Sequence, residues 1–218
     1  QTIINSNLKN ITNAILNSTS NIEKANLKKR LKENIEFIKS NFLKKNNYFF
    51  IIKGFKSDKN YEKKVKLLAH CMGNVIIQNY KNNKFVKVTP KVNLIKKLSK
   101  AEKKDTLRYH ETNSGGSIHS DGPQLSVPPN YVFLACIKDS SSGGKSIISN
   151  CIKIFNELKK KDPKSLKTLM TKFYFERRGF NFKSKIFSKP IFELKENDLR
   201  FRYLREYIET AYKIKKKK

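Results

Sequence analysis

His119 and Asp121 are separated by one residue, in the stretch Gly115–Asn150 (GGSIHSDGPQLSVPPNYVFLACIKDSSSGGKSIISN). On an extended backbone, side chains two apart point to the same face. An imidazole nitrogen and a carboxylate oxygen can then converge on one cation without bending the chain. The charge of Asp121 would partly neutralise the ion, and the ion would suppress protonation of the carboxylate. The plain alternative is an exposed loop histidine beside a turn-forming Asp-Gly.

The surrounding residues add to this pair. Asp121-Gly122-Pro123 is a turn signal and Pro128-Pro129 a second break. Tyr131 to Ile137 is an apolar run of strand length. Ser140 to Gly144 reads as a turn, and Lys145 to Ser149 as another short strand with the Ser146 hydroxyl near its start. Two ligands do not complete a site, but His-x-Asp with a distant second histidine forms the 2-His-1-carboxylate facial triad used with non-haem Fe(II).

The order HSDGPQ, then PPNYVFLACI, then SGGKS resembles the taurine dioxygenase (TauD/TfdA) and clavaminate synthase-like group of Fe(II)/2-oxoglutarate-dependent oxygenases. The resemblance covers the middle of the chain well and the flanks loosely. It implies that His119 and Asp121 are iron ligands and catalytic residues, and that Ser146 contacts a carboxylate of the co-substrate 2-oxoglutarate, with O2 as the oxidant. The implied activity is hydroxylation of a small molecule, an amino acid or a sulfonate-like compound. The implied fold is a mainly β or α+β double-stranded β-helix, a jelly-roll and cupin-like core with flanking helices.

Several elements must position that motif. Leu27, Leu31, Ile35, Ile38 and Phe42 form one stripe of an amphipathic helix. Ile4, Leu8, Ile11 and Ile15 suggest a shorter helix before it, broken at Asn17–Asn21, and both are expected to pack on the sheet. Tyr48–Phe55 reads as a buried strand. Tyr61, Val65, Leu68 and Met72 mark a helix stopped by Gly73. Asn74–Tyr80 and Phe85–Thr89 read as strands around a Lys81-Asn82-Asn83 turn. After the motif, Cys151–Lys161 is a predicted helix with Ile154, Phe155 and Leu158 inward. Pro163 begins another helix, Phe173–Phe175 is a strand, and Leu199–Ala211 carries a further apolar pattern. The expectation is a single domain over 1–218, with N-terminal helices in 1–47 and an incomplete jelly-roll core with inserted helices in 48–218.

The 218 residues carry 48 basic and 18 acidic side chains, a net charge of +30. Such a balance ordinarily points to nucleic acid or an anionic surface. Here the lysines are spread over nearly every segment, and zinc-finger, RRM and KH signatures are missing, so no specific nucleic-acid partner is expected. No apolar run is long enough for a membrane span, and the three scattered cysteines, Cys71, Cys136 and Cys151, read as reduced residues of a cytoplasmic protein. Nothing in the sequence speaks to oligomeric state.

No histidine follows His119. His70 reads as a core or boundary residue on its helix, and His110 as a substrate-pocket residue more than a ligand. Arg177 and Arg178 do not match the family's 2-oxoglutarate arginine, which lies beyond the second iron histidine. The resemblance therefore predicts an N-terminal part of an oxygenase, lacking the distal histidine, the arginine and the last strands, and weak or inactive by itself. Two alternatives stay open: a non-catalytic jelly-roll relative, and a basic nucleic-acid-binding protein.

Overall fold

The computed structural model describes residues 3–4, 7–41, 43, 48–79, 81–89, 116–177, 184–196 and 198–216. They fall into two compact units, Gln1–Ile76 with Phe133–Ser142, and Ile77–Val132 with Gly143–Lys218.

The first unit is built by helices. Helix α1 (Leu8–Asn17) presents Leu8, Ile11 and Ile15 on one side, and α2 (Asn21–Ile38) presents Leu31, Ile35 and Ile38. With Leu68 of α3 (Tyr61–Met72) these residues form one buried cluster. The break between α1 and α2 is a cap: the Ser20 hydroxyl accepts the Glu23 N–H at 3.3 Å, satisfying one of the orphan donors of a helix start. Ile4 is not part of a helical stripe. It belongs to β1 (Ile3–Ile4), which pairs in parallel with β2 (Ile51–Ile52). The expected buried strand over Tyr48–Phe55 is reduced to that two-residue pair. The N-terminal helices pack on one another and on α3, where packing on a sheet was expected, because their apolar stripes meet across a helix–helix seam. Phe42 lies outside the described residues.

The second unit pairs helices with short antiparallel ladders. Helix α4 (Cys151–Lys161) and α5 (Pro163–Leu169) are followed by β3 (Lys172–Glu176), β4 (Ile186–Pro190), β5 (Phe192–Lys195), β6 (Asp198–Phe201) and α6 (Arg205–Lys216). β3 pairs with β4 and β5 with β6. Both leading helices are capped by side chains, α4 by Asn150 and α5 by Asp162. Leu166, Phe175, Ile191 and Phe192 are the buried centre, and Ile154, Phe155 and Leu158 of α4 pack against it as their spacing predicts. The sequence pattern over Leu199–Ala211 is two elements, the end of β6 and the start of α6.

This architecture is mixed α and β. Among the described residues the sheets are three two-stranded ladders, and the expected double-stranded β-helix is not among them. Three strand expectations change accordingly. Gln78 N–H donates to Asn83 O at 2.7 Å across the expected turn, yet among the described residues its flanks are in no ladder, and Val86 and Val88 are exposed. Over 131–137 and 145–149 no strand is formed among the described residues either. A strand needs a neighbour for its N–H and C=O groups, and local alternation does not supply one.

Candidate functional site

The His119–Asp121 stretch is held in the second unit by the chain that links β6 to α6. His119 forms an isolated antiparallel bridge with Leu204. Ser120 N–H donates to Tyr203 O at 2.8 Å, and Tyr203 N–H returns a bond to the Ser120 hydroxyl at 3.0 Å. The Ser117 hydroxyl lies 3.3 Å from Glu206 Oε1 in the first turn of α6. The middle residue of the motif is thus fixed by its backbone and its side chain, and Asp121, which follows it, is exposed.

The turn after Asp121 forms as its sequence predicts. Gly122 has φ +67° and accepts the Leu125 N–H at 3.0 Å. A Cβ at Gly122 would stand 2.7 Å from Pro129 Cδ, so the second proline break closes against the Asp-Gly turn. Inside that turn lies Arg202, only 6% exposed. Its guanidinium donates to Pro123 O at 2.9 Å, to Leu125 O and to Ser126 O at 3.2 Å. Burial lowers the Arg202 pKa from its ordinary value, and the nearby Glu193 charge raises it again. Arg202 and Arg177 share the Phe187 ring of β4, at 5.4 and 4.6 Å from its centroid.

The ring of His119 carries the observation that bears on metal binding. Nδ1 is 2.7 Å from Ser117 O. A carbonyl only accepts, so this bond requires the proton on Nδ1 and leaves the lone pair of a neutral ring on Nε2. Metal-binding histidines are oriented in this way, one ring nitrogen donating to a carbonyl while the other holds the ion. The chemistry of this donor set suits a divalent cation in kind: an imidazole with its Nδ1 proton held by a carbonyl and, two residues on, the exposed carboxylate of Asp121. Among the described residues no group of three or more His, Cys, Asp and Glu could hold a metal ion.

The other sequence candidates lie elsewhere. Ser146 is exposed on the stretch before α4. His70, expected in the core or at its boundary, is exposed near the end of α3, where the stripe of Leu68 turns away from it. His110 and Arg178 lie outside the described residues. Burial pushes the Cys71 and Cys151 thiols up, which suits packing more than nucleophilic chemistry. Sequence reasoning missed Arg202, Ser120 and Tyr203. The only signal was an arginine set between two aromatics in Phe201-Arg202-Tyr203.

Residues 17–215 match the profile of the family described as Taurine catabolism dioxygenase TauD, TfdA family. The match spans most of the chain, and the chain belongs to this family of dioxygenases. No curated protein and no solved structure matches it. None of the helices among the described residues is long and apolar enough to cross a membrane.

Proposed function

We propose that the chain carries the metal-binding motif of a non-haem Fe(II)/2-oxoglutarate-dependent dioxygenase that hydroxylates a small organic molecule, an amino acid or a sulfonate-like compound. The carrying observation is the His119 Nδ1 contact with Ser117 O, which presents Nε2 as a donor one residue away from the carboxylate-bearing Asp121. Family membership over residues 17–215 supports the same reading.

In this reading His119 Nε2 and the Asp121 carboxylate would be two of the protein ligands that hold the ion. Fe(II) with 2-oxoglutarate and O2 supplies the oxidising power for attack on a C–H bond, with decarboxylation of the oxo acid. The chain's own contribution is orientation and charge. The Ser117 carbonyl fixes the imidazole tautomer, Ser120 and Tyr203 fix the peptide between the ligands, and Asp121 offsets part of the cation's charge. Ser146 is assigned a hydroxyl contact to a 2-oxoglutarate carboxylate. The jelly-roll core and the single-domain arrangement belong to the same proposal.

The test is anaerobic addition of Fe(II) and 2-oxoglutarate to the chain and to His119→Ala, followed by the weak visible charge-transfer absorption of the chelate. A band present in the wild type and lost in the variant supports the assignment. A band of equal strength in both defeats it.

A further inference from the structure

Arg202 is a buried cation whose guanidinium is met by backbone carbonyls. Three of these, Pro123, Leu125 and Ser126, belong to the one turn that follows Asp121. Burying a guanidinium opposes stability unless its donors are satisfied, and an apolar side chain could fill the same space without that cost. What an apolar residue could not do is gather three carbonyls of one loop about a single planar fork. Arg202 N–H in turn donates to Ile191 O at 2.9 Å, next to Phe192 at the centre of the unit. Its neighbours Tyr203 and Leu204 hold Ser120 and His119. Three consecutive residues, 202 to 204, therefore grip the motif on both sides of Asp121.

From this geometry we infer that Arg202 is a positioning residue for the His119–Asp121 clamp: it fixes the turn from Pro123 to Ser126 and so sets where the Asp121 carboxylate stands. The inference rests on the oxygenase reading for the identity of the ion, and on the hydrogen bonds alone for the loop. Without the guanidinium, three carbonyls in a partly buried loop would lose their donor. Buried carbonyls do not stay unsatisfied, so the loop would turn them toward water and carry Asp121 with it.

The test uses the whole chain with Mn(II), a divalent ion of similar ligand preference whose free form is counted by electron paramagnetic resonance. The variants are Arg202→Met, Arg202→Lys and His119→Ala, read alongside amide hydrogen exchange. The expected result is Mn(II) uptake that His119→Ala removes and that Arg202→Met weakens about tenfold or more, the range for loss of a partner that orients a ligand. Exchange should quicken at the Ser120 and Leu125 amides while β3 amides stay protected. Arg202→Lys, which keeps the charge but not the planar fork, should fall between.

A role in stability alone would quicken exchange throughout the unit and leave the Mn(II) affinity of the folded fraction unchanged, and that result overturns the inference. So does Arg202→Met with wild-type affinity and wild-type exchange. If Arg202→Met fails to fold, Arg202→Lys decides: weaker Mn(II) binding with local loss of protection supports the role, and wild-type values in both reject it. Mn(II) uptake that is absent, or indifferent to His119→Ala, overturns the oxygenase reading and the inference with it. That outcome is recognised before any Arg202 variant is measured.

Discussion

His119 Nδ1 lies 2.7 Å from the carbonyl oxygen of Ser117, two residues back along its own chain. The contact decides which ring nitrogen can accept a metal, since the carbonyl can only receive a proton. In the neutral ring, long-range proton–nitrogen NMR should find Nδ1 protonated and Nε2 bare. Added Zn(II), a diamagnetic stand-in, should move the Nε2 resonance and leave the Nδ1 proton in place. A bare Nδ1 in the neutral ring would contradict the geometry.

Gly122 joins two constraints at the turn beside Asp121. Its φ of +67° lies in the left-handed region, and its Cβ position is closed by Pro129 Cδ at 2.7 Å and Leu125 Cδ1 at 3.3 Å. The proline ring is tied to its backbone and cannot swing aside. Gly122→Ala should therefore cost about 1–2 kcal/mol for the backbone and about 1–3 kcal/mol more for overpacking. Gly54 is the control: φ is +98° with nothing within 4 Å, so Gly54→Ala meets only the backbone cost. Urea unfolding followed by circular dichroism should show the larger drop at Gly122.

The difference between what the sequence disclosed and what it hid follows from where each partner lies. Helices α2 and α4 were legible because their stripes, Leu31-Ile35-Ile38 and Ile154-Phe155-Leu158, are local and periodic. The Asp-Gly-Pro turn was legible for the same reason. Ile4 continued the spacing of Leu8 and Ile11, yet its partner is Ile52, far along the chain. Arg202 was hidden most fully. Alternation of Leu199, Phe201 and Tyr203 places Arg200 and Arg202 on the polar side. The Arg200 side chain is 44% exposed, whereas Arg202 turns inward to carbonyls that any residue types at those positions would have supplied. His119 and Asp121 stand out in the sequence by their side-chain chemistry; the residues that hold their stretch of chain act through backbone and left almost no trace.

Asp58 and Lys64 form a lopsided pair in the first unit. Their charged atoms are 2.7 Å apart, with the Lys64 side chain 6% exposed and that of Asp58 46%. The Lys64 hydrogen bond, then the Asn60 N–H, hold the Asp58 pKa below its ordinary value. A carboxylate depressed on folding adds stability above its unfolded pKa of about 3.9, and that stability is lost as pH falls through the folded value. Asp58→Asn should thus melt earlier than the wild type at pH 7, and the gap should narrow as pH falls below about 3.9 and close once it passes the depressed folded-state value, where both side chains are neutral. A gap that persists in acid would show that the pair is not its source.

Phe192 gives the most demanding stability test of the second unit. It is 1% exposed, with the ring of Phe155 from α4 at 5.4 Å and that of Phe201 from β6 at 5.0 Å. Removing it would leave a void bordered by two elements that share no hydrogen-bonded ladder, so neither can follow the other inward. Phe192→Ala should cost about 3–5 kcal/mol, the usual range for a buried aromatic. A typical domain holds only about 5–15 kcal/mol, so much of the unit's cooperativity should go with it. The chain has no tryptophan and nine tyrosines, so tyrosine fluorescence during urea unfolding is the natural readout. Phe37 of α2 is 64% exposed, and Phe37→Ala should leave the midpoint nearly unmoved. Equal losses at the two positions would mean that Phe192 is not enclosed in solution.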